Sequence, residues 1–253
     1  MIWKESDETL KNRLRGKIKD YLRLTHLSIQ LIAGRRFYIT VLLPLLWPAF
    51  QVFLLLVGWR ESEIEAIDAQ SLIALPLVIY AIGLGIRIIA SDVDRRTLEI
   101  AYTVPGGSHR IWLAKMTACF CLLLFSEVLL AIVTLILFTS FPFVSFYGAF
   151  QAAVFYMVVG MAFAALFRSE ISGAMATALF LTVNFLIDSG GVNMVSDINH
   201  RISPFFNPLA FDSNMTDVSA YTIQNRILFI IVILAITLLT FSRVERREKM
   251  LGD

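Results

Sequence analysis

Six apolar runs, each close to the length a helix needs to cross a bilayer, constrain this chain more than any other feature. They cover residues 37–59, 71–90, 116–138, 146–167, 171–187 and 227–241. A hydrocarbon core about 30 Å thick takes ~20 residues of helix. Within it every backbone N–H and C=O must be satisfied inside the segment, so such runs become helices. Pro44 and Pro48 are expected to bend the first of them. Composition agrees: 57% of residues are hydrophobic, 17% are charged, and the mean hydropathy is +0.72, unlike a soluble domain of this size. The expected fold is all-α, a polytopic integral membrane protein with six transmembrane helices.

Residues 1–36 read differently. Leu10, Leu14, Ile18, Tyr21, Leu22, Thr25, Ile29 and Ile32 recur at helical spacing, and nine Lys or Arg residues crowd the segment before Phe37. An amphipathic basic helix of this kind lies in the headgroup layer with its cations toward anionic lipid. A soluble partner helix is the alternative, and the direct run into the first span disfavours it. No secretory signal is visible ahead of that span. Residues 37–241 then form the membrane domain, and residues 242–253 a tail.

Charge sets the expected orientation. Eighteen Lys or Arg residues fall in the N-terminal segment, the loop after the second run, the Arg168 turn and the tail; only Arg60, Arg201 and Arg226 fall on the other side. The positive-inside rule puts both termini and the loop after the second run in the cytoplasm of a cell whose inner (plasma) membrane the chain crosses several times. The longest outward loop, residues 188–224, is rich in Pro and Phe. It is expected to fold as short re-entrant or surface helices, because backbone at membrane depth must be covered.

Several functions are disfavoured. A net charge of +2 gives no reason to expect nucleic acid. Cys119 and Cys121 sit in an apolar run without a histidine, a poor metal site and no disulfide framework. No phosphate-binding G-x-x-x-x-G-K-[ST] loop occurs, so energy for any work done here comes from another chain. Asp188-Ser189-Gly190-Gly191 followed by His200 invites comparison with an intramembrane serine protease. Such an enzyme needs its base on a facing helix, whereas here serine and histidine share one loop.

Three polar residues inside the runs are candidates for a substrate path: Glu127, Gln151 and Asn184. Glu127 lies about 16 Å into the third run, near the midplane. A carboxylate at that depth lines a watered path, couples to a proton, or serves as a structural residue that locks helices. Gln151 and Asn184, as polar groups inside spans, more often serve as hydrogen-bond partners between helices than as ligands. Arg87, close to the end of the second run, can snorkel to the headgroups.

The most informative stretch is residues 86–116, charged yet wedged between two apolar runs. Ser91 or Asp92 is placed to cap a short helix, with Asp92 and Asp94 at its positive end. Val93, Thr97, Ile100, Ala101 and Val104 share one face, and Pro105-Gly106-Gly107 stops the helix, predicted over about 91–104. A second helix can begin at Ser108 and pass through Trp112 and Lys115 into the third run. A small helix between two spans is a surface for a partner to push on.

This stretch resembles the cytoplasmic coupling helix of type-2 permease subunits of ATP-binding-cassette exporters. Asp92, Asp94, Thr97-Leu98-Glu99, Pro105, Arg110 and Lys115 match that pattern; Arg96 and Ala114 stand where the family carries glycine. The layout of N-terminal interfacial helix, six spans and a long loop before the last span resembles the family too. The resemblance implies a non-enzymatic permease paired with a second copy or a related permease. ATP and Mg would be bound by a separate cytoplasmic ATPase docked on Asp94, Arg95, Arg96, Thr97, Leu98 and Glu99. A non-transporting scaffold or sensor that uses the same helix to bind a partner is the alternative reading.

Overall fold

The computed structural model describes residues 2–59, 64–94, 97, 102, 107–189, 202–211 and 218–245. The described residues are helical with short connections. In chain order the helices are α1 (Ile2–Ala33), α2 (Phe37–Leu42), α3 (Leu46–Leu56), α4 (Ala66–Gly85), α5 (Ala90–Asp94), α6 (Ser108–Leu137), α7 (Phe143–Phe167), α8 (Glu170–Ser189) and α9 (Val218–Val244). A 3-10 turn at Leu43–Leu45 joins α2 to α3, with Pro44 at its start, so the first run bends where proline removes a ladder donor. Another 3-10 turn spans Pro208–Ala210.

Six helical stretches among the described residues are long and apolar enough to cross a membrane: Phe37–Leu56, Ala66–Gly85, Ser108–Leu137, Phe143–Phe167, Glu170–Ile187 and Val218–Val244. This is the make-up of a multi-pass membrane protein. Their ends differ from the sequence expectation. The last helix begins at Val218 rather than near 227, so residues 218–224, expected to belong to the loop, belong to α9. Polar residues such as Thr222, Gln224 and Asn225 hide this extra turn and more, because helices continue past their apolar cores.

The core sits around α7, which packs most extensively on α4 and next on α8. Small side chains let these helices close. A Cβ on Gly85 of α4 would stand 2.1 Å from the Met157 carbonyl oxygen of α7. One on Gly173 of α8 would stand 2.6 Å from the Ala164 Cα of α7. The close approaches thus fall at Gly85 and Gly173, not at Gly83 or Gly160. Gly83 faces open space, and the space at Gly160 is ordinary van der Waals contact. Outward, α8 and α9 expose Ile171, Met175, Leu179, Ile231, Leu234 and Leu238, the side chains a lipid or a second membrane subunit covers.

Helix α1 packs on α6. Tyr21, Thr25, Ser28 and Ile32 share a face; Thr25, Ser28 and Ile32 are buried, and the Tyr21 hydroxyl lies 2.9 Å from Thr117 Oγ1. Thr25 and Ser28 turn their hydroxyls onto the Tyr21 and Leu24 carbonyls of α1 itself, so they bury without needing an outside acceptor. Ile18 and Leu22 flank this face on one side and Leu27 and Leu31 on the other, all four exposed.

Candidate functional site

The charged stretch after α4 becomes a junction at one end of the bundle, here termed the basic end. Lys115, two turns into α6, is only 2% exposed. Its Nζ donates to Asp92 Oδ1 at 2.7 Å, to Asp92 Oδ2 at 2.8 Å and to the Ile88 carbonyl at 3.2 Å. An ammonium has three protons, and all three are used. Asp92 is therefore an inward tie from the segment after α4 to α6, inside α5 rather than the cap expected of it. The backbone N–H of Thr97 donates to the Asp92 carbonyl at 2.9 Å, so the chain stays tethered beyond α5.

Two further ties run to other helices. Arg87 Nη1 donates to the Ile32 carbonyl of α1 at 3.0 Å, while its Nε lies 3.9 Å from Glu170 Oε2 of α8. The side chain stays half exposed, as snorkelling predicts, but it links two helices as well. Asp94 accepts the Glu170 backbone N–H at 3.2 Å, placing a carboxylate at the positive end of α8. Tyr102 donates its hydroxyl to the Val244 carbonyl at 2.6 Å, at the end of α9. Trp112, fully buried, meets the Tyr102 ring edge-on and lies against Phe241. The stretch from Arg87 to Lys115 is thus bonded to α1, α6, α8 and α9 at once.

A lateral groove of about 630 Å³ rises from this junction. It opens between the bent first span and α4, with Arg87 and Glu170 at one end and Trp47 among its walls. Pro44 and Pro76 both line it. Tyr80 and Thr40, whose hydroxyls lie 3.4 Å apart, supply polarity partway along.

The expected site residues distribute unevenly over this geometry. Asp94 and Thr97 lie at the junction; Arg95, Arg96, Leu98 and Glu99 lie outside the described residues, as do Pro105, Gly190, Gly191, His200 and the tail beyond 245. Glu127 is fully buried on α6. Neither of its carboxylate oxygens has a hydrogen-bond partner among the described residues. Gln151 is buried with both amide atoms unpartnered among the described residues. Asn184 donates to the Tyr156 hydroxyl at 3.1 Å, a bond between α8 and α7. None of the three lines the groove. Sequence reasoning missed Glu170, Tyr80 and Thr40. Glu170 was legible as an acid at the start of a span facing Arg87; the hydroxyl pair carried no signal.

Among the described residues no group of three or more His, Cys, Asp or Glu converges to hold a metal. Comparison with family models, with curated proteins and with solved structures finds no match.

Proposed function

We propose that this chain is the membrane-spanning permease subunit of an ATP-driven exporter of the ATP-binding-cassette type, powered by a separate cytoplasmic ATPase. In this reading all six apolar helices cross the plasma membrane, both termini are cytoplasmic, and the basic end faces the ATPase. Two permeases, identical or related, pair to enclose the path, and the groove above Arg87 and Glu170 forms part of its wall.

The observation that carries the reading is the wiring of the stretch from Arg87 to Lys115. A partner can shift a conformational equilibrium only through contacts that differ between the two states. A segment bonded to α1, α6, α8 and α9 passes a push from below to most of the bundle. The surface facing the partner is assigned to Asp94, Arg95, Arg96, Thr97, Leu98 and Glu99, on the resemblance of the sequence there. Export is favoured over scaffolding because the groove gives the movement something to act on.

The test is reconstitution of the permease with its ATPase, followed by Glu99→Arg. Transport-linked ATP hydrolysis is expected to fall at least tenfold, roughly 1.4 kcal/mol of coupling, while insertion and pairing persist. Unchanged hydrolysis and transport would remove the coupling assignment. A protein that purifies without any ATPase and moves nothing would favour the scaffold.

A further inference from the structure

At the far end of the bundle α4, α7 and α9 close around a guanidinium. Arg226, in the third turn of α9, is only 8% exposed. Its Nη1 reaches Asn225 Oδ1 at 3.5 Å and its Nη2 reaches the Phe206 carbonyl at 3.5 Å, both at the limit of a hydrogen bond. The Tyr147 ring lies 5.5 Å away, and Nε has no partner among the described residues. No carboxylate among the described residues pairs with it. Gly148 makes room: a Cβ there would stand 2.7 Å from Arg226 Nη2 and 2.9 Å from Gln70 Oε1.

Gln70 joins this cation to a cavity. Its Nε2 donates to the Phe205 and Phe206 carbonyls at 3.3 and 3.0 Å, while Oε1 is buried without a hydrogen bond. The same side chain lines a cavity of about 380 Å³ between α4 and α8, walled by Ala74, Val78, Leu181 and Phe185, with Asn207 beside Gln70. Cavities of ~300–1,000 Å³ that are apolar with a few polar groups are the usual form of small-ligand sites.

A cation buried among neutral dipoles is costly, and an arriving anion offsets that cost. A guanidinium keeps its charge, and in surroundings of low dielectric its field reaches past Gln70 into the cavity. An acyl chain suits the walls, and the surroundings of such a helix bundle are lipid. We infer that this cavity binds one phospholipid of net negative, hydroxyl-bearing headgroup: a headgroup hydroxyl donates to Gln70 Oε1, the phosphate lies beside the Asn207 amide, Arg226 behind Gln70 supplies the countercharge, and an acyl chain runs between α4 and α8. The site is independent of the ATPase reading and lies at the opposite end of the bundle from the junction.

The test uses the full-length protein in nanodiscs of equal parts phosphatidylglycerol and phosphatidylcholine, released for native mass spectrometry. The wild type is expected to retain one phosphatidylglycerol with about tenfold preference. Arg226→Gln should equalise the two lipids, Arg226→Lys should keep most of the preference, and Thr182→Trp, at the exposed mouth of the cavity, should lower retention of either lipid. Thermal unfolding in each lipid reports folding independently, and Thr182→Trp keeps the test alive if Arg226→Gln does not fold. Equal retention by the wild type would overturn the site. So would a preference that survives both Arg226→Gln and Thr182→Trp, which would trace it to exposed cations such as Arg35 and Arg36. Displacement of the lipid by millimolar inorganic phosphate would also overturn it, in favour of a site for the free anion.

Discussion

Two cations lie buried among the described residues, Lys115 and Arg226, and the protein treats them in opposite ways. Lys115 at the basic end has a carboxylate on two of its protons and a carbonyl on the third. Arg226 at the far end has two stretched contacts to neutral oxygens, an aromatic ring and an unpartnered Nε. The first arrangement is complete within the chain and holds helices together whatever surrounds them. The second is incomplete among the described residues and, on the proposal above, gains from an anion that arrives from outside.

Breaking the wired end should have the largest effect. Asp92→Ala strands the Lys115 ammonium, and the loss expected is about 3–5 kcal/mol, seen as a drop in the thermal midpoint in detergent. Asp92→Leu combined with Lys115→Met removes both charges and should recover most of that loss. Failure of the double variant to recover would mean that the pair does more than neutralise itself.

The two ends are joined through α4 and α7, and Gly85→Ala probes that joint. The new methyl would overlap the Met157 carbonyl oxygen, which belongs to backbone and cannot step aside cheaply. A loss of about 1–3 kcal/mol is expected by the same melting measurement. Gly83→Ala, which meets open space, should change little.

Gln70→Leu is next, and it sharpens the far side of the comparison. It removes two hydrogen bonds to the Phe205 and Phe206 carbonyls, at an expected cost of about 1–2 kcal/mol. Amide exchange around residues 203–207 should rise while the basic end stays protected. The smallest effect belongs to Arg87→Gln. The ion pair with Glu170 is long at 3.9 Å and the bond to the Ile32 carbonyl comes from a half-exposed side chain, so only about 1 kcal/mol should be lost. A melting loss as large as that of Asp92→Ala would show the junction to be wired through Arg87 instead.

Much of the fold was legible because apolar length speaks directly to bilayer thickness. The bend at Pro44, the helix from Ser108 into the third run, and α7 and α8 to within a few residues all follow from local rules. The beginning of α9 did not, because Thr222, Gln224 and Asn225 carry no apolar signal although they are helical. Pairings were harder. Asp92 and Lys115 are 23 residues apart, and nothing in their spacing tells a cap from a salt bridge. Glycines alone do not rank the contacts, since Gly85 makes a tight one while Gly83, two residues away on the same helix, meets open space. Arg226 was visible only as one of three cations on the less basic side; its burial depends on Gly148 and Gln70, from helices far away in sequence.

The central claim is that the stretch bonded to α1, α6, α8 and α9 is pushed by an ATP-hydrolysing partner. A photo-crosslinking amino acid at Thr97, with the adducts identified by mass spectrometry from intact membranes, tests it directly. The account predicts a crosslink to a protein carrying a G-x-x-x-x-G-K-[ST] phosphate loop, strengthened or weakened by trapping that protein with ATP. Adducts to lipid alone, in membranes where the protein performs its transport, would contradict it.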